Sequence, residues 1–193
     1  LPLNHSFGLG CLHTSLYVGS TLVLLKNASN LEEILESLKK YKITTLAAIP
    51  ATLTKILNFK NKNLENYFSE IRLIITNSTA IPKKTVIQYK EILKKGNLAT
   101  YYGLTEASRS SFMIFNKQTS FDQSVGKPAP QVNIKIDNEM NKSKIGEILI
   151  KGDNVIEKYW KKLVSGRNFN YRNWPRIFSI NSNTIMFDDG SAS

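Results

Sequence analysis

The chain has 193 residues, of which 41% are hydrophobic, so it is long enough for one domain with a core of its own. Its 26 Lys and Arg residues outnumber 15 Asp and Glu residues, but they are scattered, and no nucleic-acid-binding motif accompanies them. We therefore expect no nucleic-acid partner. The single cysteine, Cys11, excludes an internal disulfide and a zinc site built from several cysteines, and it favours a reducing, cytoplasmic compartment.

The sequence contains no stretch that predicts a membrane span. Its most apolar run, from Leu16 to Leu25, is interrupted by Gly19, Ser20 and Thr21 and is too short to cross a bilayer. The chain begins at Leu1 without an initiator methionine, and we expect it to be the middle of a longer sequence.

The first forty residues predict a loop, a strand and a helix. Residues 1–10 contain two glycines and a proline and predict a loop, and Ser20 to Leu25 predicts a strand. Asn30 predicts the N-cap of a helix, with Glu33 as its capping-box partner. The apolar residues that follow have helical spacing and are Leu31, Ile34, Leu35, Leu38 and Tyr41.

Between residues 43 and 100, apolar strands alternate with helices, which predicts βαβ crossovers and a parallel sheet. The predicted elements are a strand at 43–49, helices at 51–58 and 64–68, a strand at 71–75, a helix at 83–95 that stops at Gly96, and the start of a short strand before Tyr101.

The stretch Tyr101-Tyr102-Gly103-Leu104-Thr105-Glu106 follows the last of these strands. Ligands of open α/β sheets bind beyond the carboxyl ends of the strands, and this stretch offers a ring for stacking, a hydroxyl for a phosphate and a carboxylate for Mg²⁺. The same residues could equally form an ordinary strand–turn–helix junction, with Thr105 as N-cap and Glu106 favoured by the helix dipole.

Beyond residue 120 the pattern changes to that of a small antiparallel sheet. Residues 125–130 predict a turn-rich connector, and Val132–Asp137 and Ile145–Ile150 alternate as the strands of a hairpin around a polar turn at 138–144. The predicted class is α/β. It comprises an α/β subdomain over 1–118 with the candidate nucleotide site, a partial antiparallel β subdomain over 119–164, and an irregular, unassigned tail over 165–193.

Five segments occur in the order found in the adenylate-forming superfamily, which includes AMP-forming acyl-CoA synthetases. They are Leu1–Leu9, the loop after Ile75, Tyr101–Glu106, Val125–Pro128 and Gly146–Gly152. The chain resembles part of the large domain of these AMP-dependent ligases, and the run His5-Ser6-Phe7-Gly8 resembles their acyl-CoA synthetase branch.

This resemblance implies an activity and its cofactors. Members of the superfamily activate a carboxylic acid with ATP and Mg²⁺, release pyrophosphate from an acyl-adenylate intermediate, and pass the acyl group to a thiol. That thiol belongs to CoA or to the phosphopantetheine of an acyl carrier protein. Positioning and charge neutralisation dominate such chemistry.

The resemblance also implies roles for individual residues. Tyr102 would stack on adenine, with Tyr101 and Gly103 beside the nucleotide, Thr105 would bond the α-phosphate, and Glu106 would hold Mg²⁺. His5, Thr105 and Glu106 would be the catalytic residues, and His5 would face the carboxylate and the pyrophosphate. Its alternative role is that of a histidine hydrogen-bonded within a loop. The remaining predicted contacts are Ser78 and Thr79 with adenine or the carboxylate, and His5, Phe7 and Leu104 with the acyl group.

The sequence departs from the superfamily in ways that bear on activity. Asn77 and Ser78 stand where glycines are usual, and the superfamily's phosphate loop and catalytic C-terminal lysine do not occur in these 193 residues. We therefore expect the 193-residue piece alone to be inactive. A degenerate, non-catalytic nucleotide-binding remnant and an unrelated flavodoxin-like interaction domain stay open as alternatives.

Overall fold

A computed structural model of the chain describes residues 1–25, 29–59, 63–117, 124–137, 147–156, 177–181 and 184–187. The chain divides into two compact units. The first comprises Leu1–Thr100 and Ile114–Asp122, and the second comprises Tyr101–Met113 and Gln123–Ser193. The subdomain boundaries predicted from the sequence stay predictions.

Parallel strands form the sheet of the first unit. They are β1 (Thr45–Ala47), β2 (Leu73–Thr76) and β3 (Asn97–Tyr102), and the last two residues of β3 belong to the second unit. Thr45 pairs with Leu73 and Leu73 pairs with Asn97, so the strands are in step. The predicted parallel βαβ arrangement is confirmed.

Helices precede and connect these strands. They are α1 (Ser6–Tyr17), α2 (Leu31–Lys40), α3 (Pro50–Leu57), α4 (Leu64–Tyr67) and α5 (Lys83–Ile92). Their buried faces form the core: the hydroxyl of Tyr89 on α5 donates to Leu53 O on α3 at 3.0 Å, and the Tyr89 ring meets Phe68 edge-on, with 5.6 Å between centroids. Burial raises the pKa of Tyr89 well above its usual value.

Both ends of helix α2 carry capping motifs. At its start, the Asn30 side chain accepts from Glu33 N at 3.2 Å, as predicted. At its end, Lys42 N donates to Lys39 O at 3.2 Å and Ile43 N donates to Leu38 O at 2.9 Å, which is a Schellman motif. Lys42 occupies the position of that motif that favours glycine, with φ at 47°.

The first 25 residues differ from the prediction. The predicted loop over 1–10 is wrong because helix α1 begins at Ser6. Gly8 lowers helix propensity but lies against the Pro2 carbonyl, where a Cβ has no room. The strand predicted at Ser20–Leu25 is also wrong, since residues 20–25 form no strand. An apolar composition favours a strand only where a neighbouring strand is available for pairing.

Helix α5 is also shorter than predicted. It ends at Ile92 rather than at Lys95, so Gly96 is not its stop signal. Instead, Gly96 leads into β3 and lies against the Ile71 carbonyl, where a Cβ would collide with backbone.

The second unit contains antiparallel strands. Strand β4 (Ser111–Ile114), whose last residue belongs to the first unit, pairs with β5 (Ser124–Pro128). Strand β6 (Asn133–Asp137) pairs with β7 (Glu147–Lys151). The β6–β7 hairpin confirms the small antiparallel sheet predicted from alternation, while its turn at 138–144 lies outside the described residues.

Two segments of this unit form strands that the sequence did not predict. Residues 124–128 form β5, although the sequence predicts a connector over 125–130, and the register of β5 shifts between Ser124 and Gly126. Gly126 has φ at 84°, and this bulge breaks the alternation that would identify a strand. The stretch predicted as an irregular tail contains β8 (Ile177–Asn181) and β9 (Thr184–Phe187). Strand β9 pairs with β5 and β8, so that stretch is not wholly irregular; its many Asn, Arg and Ser residues hid the strands.

Candidate active site

In the first unit, strand β2 ends at Thr76, at the edge of the sheet where the sequence predicts ligand binding. Thr76 pairs with Thr100, and Thr100 Oγ1 donates to Thr76 O at 3.2 Å. Asn77 continues the chain from Thr76, and Tyr101 continues it from Thr100. The predicted residues Ser78 and Thr79 therefore follow the carboxyl end of a parallel strand.

The loop after β2 presents Ser78 and Thr79, both of which are exposed. Ser78 has φ at 92°, in the left-handed region that favours glycine. The loop therefore has a glycine-type backbone at a position where the superfamily often has glycine, although the residue is a serine. The predicted contacts of Ser78 and Thr79 with adenine or the carboxylate stay predictions.

His5 is the N-cap of helix α1. Its Nδ1 accepts from Phe7 N at 3.2 Å, which satisfies one amide that would otherwise be unpaired at the helix start. This is the hydrogen-bonded role that the sequence left open. Because the cap uses Nδ1, a neutral His5 carries its proton on Nε2 and can donate it to a ligand from an exposed side chain. Phe7, predicted to line the acyl pocket, is 1% exposed.

Tyr101 and Tyr102 lie within strand β3 rather than in the following loop, so their side chains point to opposite faces. Tyr101 packs against Phe112, with 5.8 Å between ring centroids. Tyr102 is 7% exposed and belongs to an apolar cluster with Val125 and Ile136, and this burial raises the pKa of Tyr102 to about 12. The buried ring offers a ligand little surface, and its stacking on adenine stays a prediction.

The loop from Gly103 to Ser110 is held by its own backbone. Leu104 N donates to Ala107 O at 3.0 Å, Ala107 N donates to Leu104 O at 3.3 Å, and Ser110 N donates to Tyr102 O at 2.8 Å. A Cβ on Gly103 would lie 2.9 Å from Ala107 O and closer still to Arg109 N. Glycine is therefore required at position 103 because the loop backbone packs against it. This requirement is separate from the predicted close approach of a nucleotide.

A second segment, Asn154–Ile156, holds the same loop from outside. Asn154 Nδ2 donates to Ser108 O at 3.0 Å and to Ser110 Oγ at 2.9 Å, and Ile156 N donates to Glu106 O at 2.9 Å. Val155 forms an antiparallel bridge with Ala107. No local pattern predicts these contacts, because the two segments are more than forty residues apart.

Together these hydrogen bonds fix the backbone of the loop, and its side chains differ in exposure. Thr105 is exposed, whereas Leu104 and Glu106 are half-buried. The loop runs into strand β4, so the alternative in which Thr105 caps a following helix is wrong. Among the described residues, no three His, Cys, Asp or Glu side chains gather closely enough to hold a metal ion. A metal at Glu106 would therefore need further ligands, and phosphate oxygens and water meet the preference of Mg²⁺.

Comparison with known proteins agrees with this fold. The family model described as "AMP-binding enzyme" matches residues 1–160.

The chain belongs to the AMP-binding enzyme family.

All the candidate site residues lie within the matched range, and membership of this family excludes the flavodoxin-like alternative.

Relatives within the family include CoA ligases. The chain is 30% identical to the long-chain-fatty-acid–CoA ligase of Haemophilus influenzae over 84% of this chain and 29% of that protein. It is 27% identical to the 2-succinylbenzoate–CoA ligase of Oceanobacillus iheyensis over 90% of this chain and 36% of that protein. The chain therefore spans about a third of the length of these relatives.

A solved structure shares the fold. It is the o-succinylbenzoate coenzyme A synthetase of Bacillus subtilis in complex with ATP and magnesium, which matches 97% of this chain and 40% of that chain at a TM-score of 0.79 and 25% identity. Among the described residues, no helix has both the length and the apolar composition needed to span a membrane.

Proposed function

We propose that the protein carrying this sequence is an ATP-dependent acid–thiol ligase. The oxygen of a carboxylate substrate attacks the α-phosphorus of ATP, and pyrophosphate leaves to give an acyl-adenylate. A thiol then attacks the acyl carbonyl, and AMP leaves. The observation that carries this proposal is the doubly fixed loop 103–110, which presents Thr105 and Glu106 in a chain that belongs to the AMP-binding family.

The exposure of Thr105 and the partial exposure of Glu106 support these roles. The Thr105 hydroxyl would donate to an α-phosphate oxygen, and holding the loop backbone in advance lowers the cost of ordering that donor. The Glu106 carbonyl accepts from Ile156 N, which fixes the residue's backbone, and the Glu106 carboxylate would hold Mg²⁺. When bound, Mg²⁺ would offset the charge of the phosphate oxygens.

The other predicted residues have narrower roles. His5 would donate from Nε2 toward the carboxylate or pyrophosphate, and Ser78 and Thr79 would contact adenine or the carboxylate. Tyr102 and Gly103 would form the nucleotide side, with Tyr101 beside the nucleotide through its backbone because its ring packs against Phe112. Phe7 and Leu104 would form the acyl side. The names of the relatives support CoA as the thiol; the phosphopantetheine of an acyl carrier protein is the alternative acceptor. We propose a cytoplasmic location, in keeping with the reduced cysteine that the sequence predicts.

Exchange of labelled pyrophosphate into ATP, measured in the whole protein with a panel of carboxylic acids, tests this function. Replacing Thr105→Ala or Glu106→Gln should each lower exchange about 100- to 1,000-fold, the usual cost of one lost transition-state contact. Thr44→Ala and Glu70→Gln alter exposed residues of the first unit and serve as matched controls. Exchange that survives both site variants within a factor of about three would contradict the assigned roles.

The same assay tests the proposal's second part and its rival. The 193 residues alone should give no exchange above background, because several charge-stabilising groups of the superfamily are not among them. A whole protein that binds ATP, yet exchanges no pyrophosphate with any acid, would be the non-catalytic remnant.

A further inference from the structure

Arg109 lies three residues after Glu106 and is not among the site residues that the sequence predicts. Its backbone has φ at 54°, in the left-handed region, which is uncommon for a residue with a side chain. The neighbours hold it there: Ser108 O accepts from Asn154, and Ser110 N donates to Tyr102 O. Strained backbone of this kind persists only where the surroundings impose it, and it concentrates at ligand-binding sites.

The side chain of Arg109 is also positioned by its neighbours. Its guanidinium carbon lies 5.3 Å from the centroid of the Tyr101 ring, and Nη1 lies 3.4 Å from Ser108 Oγ. The Tyr101 ring is itself only 6% exposed and packs on Phe112. A guanidinium stacked on a fixed ring loses little freedom when it binds an anion, so the group is organised in advance.

The charge of Arg109 has no counterpart in the part of the chain that is described. Within those residues, its side chain lies over the Tyr101 ring and is hydrogen-bonded to Ser108, and neither partner is acidic. Arginine presents donors in a planar fork that matches a carboxylate. A half-buried, unneutralised arginine beside a ligand-binding loop thus favours an anionic ligand group.

We propose that Arg109 binds a second carboxylate at the far end of the acyl substrate, so that the enzyme prefers dicarboxylic acids to monocarboxylic acids. This inference rests on the proposed function. The two faces of strand β3 indicate that the bound anion belongs to the acyl group and not to the nucleotide. Arg109 covers Tyr101, whereas adenine is assigned to Tyr102, which points to the opposite face.

The test compares succinate with butyrate, which have the same number of carbons but differ in the distal carboxylate. Pyrophosphate exchange in the whole protein gives kcat/KM for each acid, and calorimetry gives the binding of each acid independently of turnover. The native protein should prefer succinate, and Arg109→Gln should lower the succinate-to-butyrate ratio about tenfold or more, as expected for a lost hydrogen bond to a charged group. Arg109→Lys, which keeps the charge, should retain part of the preference.

Further measurements separate this inference from the alternatives. Arg72→Gln removes an exposed arginine of the first unit and should leave the ratio unchanged. A purely structural role for Arg109 would lower folding stability without changing the ratio, and a phosphate contact would raise the KM for ATP instead; either result overturns the inference. If no acid supports exchange, the proposed function fails, but calorimetry still tests the role of Arg109. That role is overturned if succinate does not bind at all, or if Arg109→Gln does not weaken its binding.

Discussion

Replacing Gly103 by alanine is the sharpest test of how the site loop is built. The added Cβ would lie 2.9 Å from Ala107 O and closer still to Arg109 N, and both are backbone atoms of a hydrogen-bonded loop. Forcing a methyl group into such a space costs about 1–3 kcal/mol. Relieving the contact by opening the loop would break the Leu104–Ala107 pair of bonds instead, each with a net worth of about 0.5–1.5 kcal/mol.

We therefore expect Gly103→Ala to lower the free energy of unfolding by about 1–3 kcal/mol, measured by urea denaturation. Hydrogen exchange should be faster at the Leu104 and Ser110 amides, which donate the loop's bonds. Gly19→Ala is the control, because Gly19 has φ at 67° and nothing within 4 Å of its Cβ position, so only the left-handed backbone costs energy. If Gly103→Ala costs no more than Gly19→Ala and leaves both amides protected, close approach does not shape this loop.

Three further predictions concern stability. Lys42→Gly should raise the free energy of unfolding, measured in urea, by about 0.5–1 kcal/mol. It removes the cost of a left-handed backbone at a residue with a side chain, about 1–2 kcal/mol, and the greater entropy of glycine in the unfolded chain offsets only part of this gain. An equal gain from Lys42→Ala would contradict this reason. Asn154→Asp removes the donor of two bonds to the site loop and should cost about 1–3 kcal/mol, with faster exchange of the Ile156 amide, whereas Asn66→Asp at an exposed site should cost almost nothing. Burial raises the pKa of Tyr102 from 10.0 to about 12, so above pH 10 the unfolded chain loses this proton first, and stability should fall by up to about 2–3 kcal/mol as the pH rises to 12. Tyr102→Phe should flatten that part of the pH curve, and an unchanged slope would show that other groups cause the fall.

Local repetition explains what could be predicted from the sequence. Helix α2 was predicted because its cap and its apolar spacing agree, and the β6–β7 hairpin because its strands alternate. The segment Tyr101–Glu106 was singled out because a compact motif places a ring, a hydroxyl and a carboxylate after a strand. In each case the information lies within a few neighbouring residues.

The elements that were missed depend on distant contacts or unusual backbone. Helix α1 was missed because its glycines are unfavourable locally, although Gly8 is required by the nearby Pro2 carbonyl. Strand β5 was missed because the left-handed conformation of Gly126 interrupts its alternation. Asn154 could not have been found, since its partners are more than forty residues away and its type has no special meaning in isolation.

Ser78 shows how loop shape and residue type can separate during divergence. Its φ of 92° belongs to the torsion range typical of glycine, although the residue has a side chain. A motif search written with fixed glycines would pass over this loop, whereas a search on backbone torsion angles would find it. Distant members of the family can therefore be sought by the path of the chain after β2, even where every glycine of the signature has been replaced.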